Sequence, residues 1–267
     1  MSHPKHELGR LDAAARKSLS QNFLQSPHWA DKLVDSVLAA PKPDEYWEIG
    51  PGLGALTERL LKKATAPVIL YEYDRKFCEL FREKHPEITL HEGDFLKTDL
   101  ESHLGTKKVS LLSNLPYHLS SPILFQLMEY RHSFHRWVMT FQREFGERLL
   151  AKPDTSEYGA MSILIQLHMK VEKLGIIPPT AFYPAPKVDS IALAFSPKPS
   201  VDVKYDLIAK VVKTAFMHRR KKLISNLAVA FPKDRLAENF QALGLNPLVR
   251  PEVLSPETYL DLTSRLG

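Results

Sequence analysis

Four consecutive residues near the middle of the chain have the chemistry to hold a planar base. They are Asn114, Leu115, Pro116 and Tyr117, and they follow an apolar run ending at Leu112 that predicts a buried strand. Asn114 offers a side-chain carbonyl and Leu115 a main-chain carbonyl, and Pro116 fixes the backbone so that both acceptors can face one amino group. Because Tyr117 adds a flat ring, the motif predicts a site for a base with an exocyclic amine.

A glycine-rich turn lies between a predicted strand and a predicted helix earlier in the chain. Its sequence is Glu48-Ile49-Gly50-Pro51-Gly52-Leu53-Gly54. Glycines at such a turn let the main chain approach a ligand closely. The turn also fits the dinucleotide fingerprint G-x-G-x-x-G/A, with Glu72 as the acid that binds ribose, so the pattern alone leaves a dinucleotide dehydrogenase and an adenosine-type methyl donor both open.

Acidic residues at the ends of successive predicted strands favour the methyl donor. Glu72 can accept hydrogen bonds from ribose hydroxyls, and Asp94, one strand later, can accept from an adenine amine. Glu48, one strand earlier, could face the sulfonium or amino group of the same ligand. The alternative is that Glu72 and Asp94 only cap the helices that follow them. Two acids at successive strand ends favour the ligand.

Alternating strands and helices must position these residues. The predicted strands are 46–49, 68–73, 88–91, 109–112 and 137–141, with a later one at 188–195. Helical patterns separate most of the earlier strands, which indicates right-handed crossovers and a parallel, doubly wound α/β sheet. Further helices are predicted at 143–152 and 160–170.

The composition changes at the Pro- and Ser-rich segment 196–200, which is the best candidate linker. Beyond it only helical patterns occur, which predicts a small all-α domain. The expected organisation is a flexible basic arm at 1–17, an α/β domain at 18–198 and a helical domain at 199–267.

Composition limits the possible functions. The chain has 267 residues, of which 44% are hydrophobic, and a formal net charge of +5, which permits a polyanionic partner. The single cysteine, Cys78, excludes an intrachain disulfide and indicates a reducing, cytoplasmic compartment. No apolar stretch approaches the roughly 20 residues of a membrane span, so no membrane partner is expected. The histidines show no metal-ligand spacing, and no metal is expected.

Five motifs follow one another in a recognisable order. They are Ser20–Leu24, Glu48–Gly54, Gly93-Asp94, Asn114–Tyr117 and Phe182–Ser190. Together they resemble the ribosomal RNA adenine N6,N6-dimethyltransferase family, and most of all its members that act on small-subunit (16S) rRNA. The resemblance implies a Rossmann-like methyltransferase sheet, S-adenosylmethionine as cofactor, and dimethylation of two adjacent adenines near the 3′ end of 16S rRNA.

The resemblance also implies roles for individual residues. The implied catalytic residues are Asn114, Leu115 and Tyr117, and Phe182 would be a second aromatic at the base. The implied cofactor-binding residues are Gln21, Asn22, Leu24, Glu48, Gly50, Gly52, Gly54, Glu72, Asp94 and Asn114.

A run of four cations, Arg219, Arg220, Lys221 and Lys222, stands before an apolar pattern in the helical region. Most charge runs are simply a solvated face. With 16S rRNA in the small subunit or its precursor as the implied partner, contacts to backbone phosphates are favoured. We expect a monomer.

Two other functions remain open. One is a 23S rRNA adenine methyltransferase of the macrolide-resistance type, which shares the motif order but commonly has isoleucine in place of Leu115. The other is a ribosome-assembly or transcription factor that acts by binding alone. Intact Glu72, Asp94, Asn114 and Tyr117 favour an active enzyme.

Overall fold

The computed structural model describes residues 22–199 and 204–267, and the chain divides into two compact units. The first comprises the described residues up to Gly146 together with Glu172–Pro197. The second comprises Glu147–Val171 and the described residues from Lys198 onwards. The predicted arm at 1–17 lies outside the described residues.

The strands, in chain order, are β1 Phe23–Leu24, β2 Glu45–Ile49, β3 Val68–Glu72, β4 Thr89–Glu92, β5 Val109–Ser113, β6 Phe134–Gln142, β7 Met169–Ile177, β8 Phe182–Tyr183 and β9 Ser190–Pro197. Within the described ranges, seven of them form one sheet in the order β4-β3-β2-β5-β6-β9-β7. The neighbours from β4 to β6 pair in parallel, whereas β9 runs antiparallel to β6. Strands β1 and β8 form a separate antiparallel pair.

The helices, in chain order, are α1 Pro27–Leu38, α2 Thr57–Lys63, α3 Arg75–Lys84, α4 Leu100–Leu104, α5 Tyr117–Glu129, α6 Arg143–Leu150, α7 Ala160–His168, α8 Tyr205–Ala215, α9 Leu223–Leu227, α10 Lys233–Ala242 and α11 Pro256–Leu266. Side chains of Ser26 and Asp74 accept main-chain hydrogens at the starts of α1 and α3, which satisfies donors that a helix leaves open there.

The parallel part of the sheet follows directly from apolar strand sequences. All five residues of β3 and all five of β5 are buried, as expected for strands covered on both faces. The predicted parallel, doubly wound α/β sheet is therefore confirmed. The carboxyl ends of its strands lie at one edge, and Ile49 at the end of β2 pairs with both Tyr71 and Ser113. The residues that follow these strands are consequently brought together.

The structure differs from the prediction at β7, where the sequence predicts a helix that continues to residue 170. The helix α7 ends at His168, and Met169 adopts an extended conformation. Most of β7 is exposed or half-buried, so it lacks the apolar run by which a buried strand is recognised. Met169 also continues the apolar spacing of α7. For these two reasons the pattern extends the helix too far.

The second unit has its own apolar core. Helix α7 contributes Ile163, Leu164 and Leu167 to the same buried cluster as α8 to α11. The sequence assigns residues 147–171 to the α/β domain, but the structure groups them with the helices because their apolar side chains are buried there. Strand β9 also extends through Ser196 and Pro197, which the sequence assigns to the linker.

None of the helices in residues 22–199 and 204–267 combines the length and apolar character that crossing a membrane requires.

Candidate active site

A cavity of about 280 Å³ opens at the carboxyl edge of the parallel strands, within the first unit. Its walls come from the segments that follow β2, β3, β4 and β5, together with the residues around β1. Of the predicted site residues, those that line it are Asn22, Leu24, Glu48, Gly50, Gly52, Glu72, Asp94, Asn114 and Leu115. Gln21 lies outside the described residues.

Gly50 and Gly52 of the glycine turn lie in close contact with the side chains of Leu115 and Phe23. Gly50 and Gly52 have φ angles of 68° and 53°, which favour glycine. A Cβ on Gly50 would lie 2.8 Å from Leu115 Cδ2, and one on Gly52 would lie 3.2 Å from Phe23 Cε1. The absent side chains thus leave room for Leu115 and for the Phe23 ring, both of which line the cavity. Gly54 does not line the cavity, and its missing side chain accommodates Phe81 instead.

Glu72 ties the glycine turn to the start of α3. Its Oε2 accepts from the Gly52 main-chain N–H at 3.1 Å, and its Oε1 accepts from the Asp74 N–H at 2.8 Å. The side chain is 6% exposed, and burial raises the pKa of the carboxyl. Each carboxylate oxygen can accept a second hydrogen bond, so Glu72 can still accept from a ligand hydroxyl while it holds the two main-chain N–H groups.

Glu48 is the most deeply buried acid that lines the cavity. The residue is 1% exposed, and burial raises the pKa of its carboxyl to about 8. The Thr57 side chain lies close enough to lower that pKa in part, but Oε2 has no hydrogen bond of normal geometry within the part of the chain that the structure describes. A buried polar atom without a partner is costly, so this oxygen marks a position where a ligand donor or cation would be stabilised.

Asp94 serves the local backbone as well as the cavity. Its Oδ1 accepts from the Leu96 N–H at 3.1 Å and caps the short 3₁₀ turn Phe95–Lys97. Asp94 therefore caps the turn that follows it, which is the alternative to a ligand-binding role. The cap uses only one of its two carboxylate oxygens, and the residue also lines the cavity.

Asn114 is held from two sides. Its Oδ1 accepts from the Thr140 hydroxyl at 2.6 Å, and its Nδ2 donates to the Asn22 main-chain oxygen at 3.4 Å. Thr140 lies on β6 and is 2% exposed. Sequence reasoning misses Thr140, although a hydroxyl inside the apolar run 137–141 was an available signal, because a buried hydroxyl needs a partner.

Aromatic residues missed by the sequence reasoning also line the cavity. Phe23 and Phe77 meet edge to face, with ring centroids 5.6 Å apart, and Tyr73 is 66% exposed. The position of Tyr73 directly after the strand-end acid Glu72 is the signal that could have identified it.

Tyr117 lies apart from the cavity lining. It is half-buried at the start of α5, and its hydroxyl forms a 2.7 Å hydrogen bond with Ser190 Oγ. Burial raises the pKa of the phenol. The structure therefore brings Asn114 and Leu115 into the cavity wall, while Tyr117 is anchored to β9 beside them in the chain.

Phe182, the predicted second aromatic at the base, is buried in this structure and does not line the cavity, so its base contact stays a prediction. Phe182 is 3% exposed and belongs to the apolar core, where Leu24 of β1 is its strand partner.

The four cations Arg219 to Lys222 belong to the second unit, where all of them are exposed. Arg219 also donates to the Thr155 main-chain oxygen at 3.0 Å. They lie between α8 and α9, so a phosphate contact would come from a turn.

Two other chemistries find no support in residues 22–199 and 204–267. No group of three or more His, Cys, Asp or Glu side chains there could hold a metal ion. Cys78 is buried, and burial raises the pKa of its thiol to about 12, which is unsuited to a nucleophile.

Comparison with known families gives one match along nearly the whole chain. The family described as "Ribosomal RNA adenine dimethylase" matches residues 13–266. Curated proteins named "Ribosomal RNA small subunit methyltransferase A" from Geobacter sulfurreducens and Bacillus thuringiensis are each 38% identical to the chain. The alignments cover 94% of this chain in both cases, and 95% and 91% of the respective relatives.

Two solved structures share the fold over most of the chain. A dimethyladenosine transferase from Plasmodium falciparum has a TM-score of 0.77 and 28% identity, covering 90% of this chain and 95% of that one. The 23S rRNA methyltransferase ErmE has a TM-score of 0.72 and 22% identity, covering 92% and 99%. The similarity to ErmE concerns the fold alone.

Proposed function

This chain belongs to the ribosomal RNA adenine dimethylase family, and from that premise we propose that it dimethylates two adjacent adenines near the 3′ end of 16S rRNA. Membership of the family makes it a methyltransferase that uses S-adenosylmethionine to dimethylate rRNA adenine. The small-subunit target is supported by the names of the curated relatives. The proposed substrate is the small ribosomal subunit or its precursor, bound by a monomer.

The cavity at the sheet edge carries the proposal. It combines a turn in which Gly50 and Gly52 present main chain without side chains, a Glu72 carboxyl held by two main-chain N–H groups, and a buried Glu48 oxygen that lacks a hydrogen bond of normal geometry within the described residues. These features fit S-adenosylmethionine. Glu72 would bind the ribose hydroxyls, Asp94 the adenine amine, and Glu48 the cationic part of the cofactor.

When bound, S-adenosylmethionine supplies an electrophilic methyl group on a cationic sulfonium. Asn114 Oδ1 and the Leu115 main-chain oxygen would accept hydrogens from the adenine N6. This arrangement favours a pyramidal nitrogen whose lone pair faces the cavity. Positioning of this kind contributes ~7 to 11 kcal/mol in well-oriented systems, so a strong general base is not required.

Tyr117 would stack on the target adenine. Its hydrogen bond to Ser190 restrains the ring and leaves the aromatic face as the functional group. Base stacking on an aromatic side chain is worth ~1 to 3 kcal/mol by alanine substitution. Outside this site, the cations Arg219 to Lys222 would neutralise RNA backbone phosphates without reading sequence.

Primer extension on ribosomes from cells with and without the protein tests this function. Dimethylation at N6 blocks the Watson–Crick edge of adenine, so reverse transcriptase should stop near the 3′ end of 16S rRNA only when the protein is present. Cells that carry Asn114→Ala provide the control. A stop in 23S rRNA would favour the macrolide-resistance alternative, and the absence of any stop would favour a protein that acts by binding alone.

A further inference from the structure

The pairing of β5 with β6 places Thr140 next to Asn114. The last aligned pair between β5 and β6 is Ser113 with Met139, so the residues that come next are Asn114, directly after the end of β5, and Thr140 on β6. The Thr140 main-chain oxygen accepts from Ser120 Oγ of α5 at 3.3 Å. One residue therefore contacts the motif through its side chain and the following helix through its main chain.

The hydroxyl of Thr140 is not needed for packing. Valine has the same shape and is at least as suitable for a buried strand. Burying a hydroxyl costs free energy unless it forms a hydrogen bond, and here the partner is the Asn114 amide oxygen. The hydrogen bond to Asn114 therefore explains why this position carries threonine and not valine.

The hydrogen bonds determine which way the Asn114 amide faces. The Asn22 main-chain oxygen can only accept, so it requires the Asn114 Nδ2 on its side. The Asn114 Oδ1 then faces Thr140, whose hydroxyl donates to it. Because Oδ1 can accept two hydrogens, one lone pair is left for the substrate.

We propose that Thr140 is a positioning residue that holds the Asn114 amide so that Oδ1 accepts a single N6 hydrogen. This inference rests on the proposed role of Asn114. The other N6 hydrogen then falls to the Leu115 carbonyl in the first transfer. In the second transfer only one hydrogen remains, and an acceptor already restrained by Thr140 needs no rearrangement to take it.

Comparing Thr140→Val with Thr140→Ser tests the inference, because only the serine variant keeps the hydroxyl. Methyl transfer to unmodified small-subunit particles is measured at saturating S-adenosylmethionine, with cofactor affinity from calorimetry and folding from thermal unfolding. Thr140→Val should lower the transfer rate roughly five- to tenfold, the size expected when one hydrogen bond is removed. The cofactor affinity should change less than the rate, and Thr140→Ser should recover most of the activity.

Ser110→Ala is the matched control, since it removes a buried β5 hydroxyl without a partner in the described part of the chain. It should transfer methyl groups at the wild-type rate. A Thr140→Val enzyme as fast as the wild type, or a serine variant no better than valine, would overturn the inference. A wild-type protein that does not methylate the particles would instead contradict the proposed function.

Discussion

The cavity and the basic turn of the second unit, Arg219 to Lys222, hold their charged groups in opposite environments. Glu48 and Glu72 are almost completely buried, and Glu72 has fixed main-chain partners. Arg219 to Lys222 are all exposed to solvent. Buried polar groups act over fixed distances at a low local dielectric, whereas exposed charges are screened by salt beyond about 10 Å at 0.1 M ionic strength. The proposed function therefore assigns orientation of the reacting atoms to the cavity and attraction of the RNA to the turn.

The largest expected effect follows from removing the orienting amide in the cavity. Asn114→Ala should lower methyl transfer by ~100-fold or more, because misplacement of the reacting amine is costly. Cofactor binding, measured by calorimetry, should be weakened but retained because Glu48, Glu72 and Asp94 remain. Undiminished dimethylation by a folded variant would show that the amide does not orient the substrate.

A smaller and salt-dependent effect is expected at the basic turn. Arg219→Glu combined with Arg220→Glu should weaken particle binding and reduce the slope of log affinity against log salt by about two units, roughly one for each phosphate that the variant no longer neutralises. The bound complex should still transfer methyl groups. Binding is measured by filter retention over a series of salt concentrations.

The control for this pair is Lys62→Glu combined with Lys84→Glu, which changes the net charge equally through two exposed lysines of the first unit. Its salt slope should stay close to that of the wild type. Equal slopes for both double variants would mean that net charge alone matters and that the basic turn has no local role.

The third expected effect concerns pH and the buried carboxyl of Glu48. Because burial raises its pKa from 4.5 to about 8, the folded protein keeps a proton that the unfolded chain has lost. The free energy of unfolding of the cofactor-free protein should therefore fall as pH rises through this window. Glu48→Gln should flatten that dependence in denaturant unfolding, while Glu83→Gln, at an exposed position, should not. Equal pH dependence in both variants would contradict the raised pKa.

Much of the sheet could be predicted from local sequence. Strand β5 is a short apolar run, and α3 has its apolar residues at helical spacing after the capping Asp74. Strand β7 could not be predicted, because its largely exposed surface gives no apolar run and its first residue continues the pattern of α7. The two-residue strands β1 and β8 are recognisable only through their pairing with each other.

The sequence by itself determined which chemical groups stand at the strand ends: the glycine turn, Glu48, Glu72, Asp94 and the motif beginning at Asn114. These are local features, because a strand end and the residue that follows it are adjacent in the chain. Only the tertiary structure decided that Phe182 is buried, that Thr140 holds Asn114 across 26 residues, and that Ser190 holds Tyr117 across 73. Those pairings depend on strand order and register, which apolar periodicity does not specify.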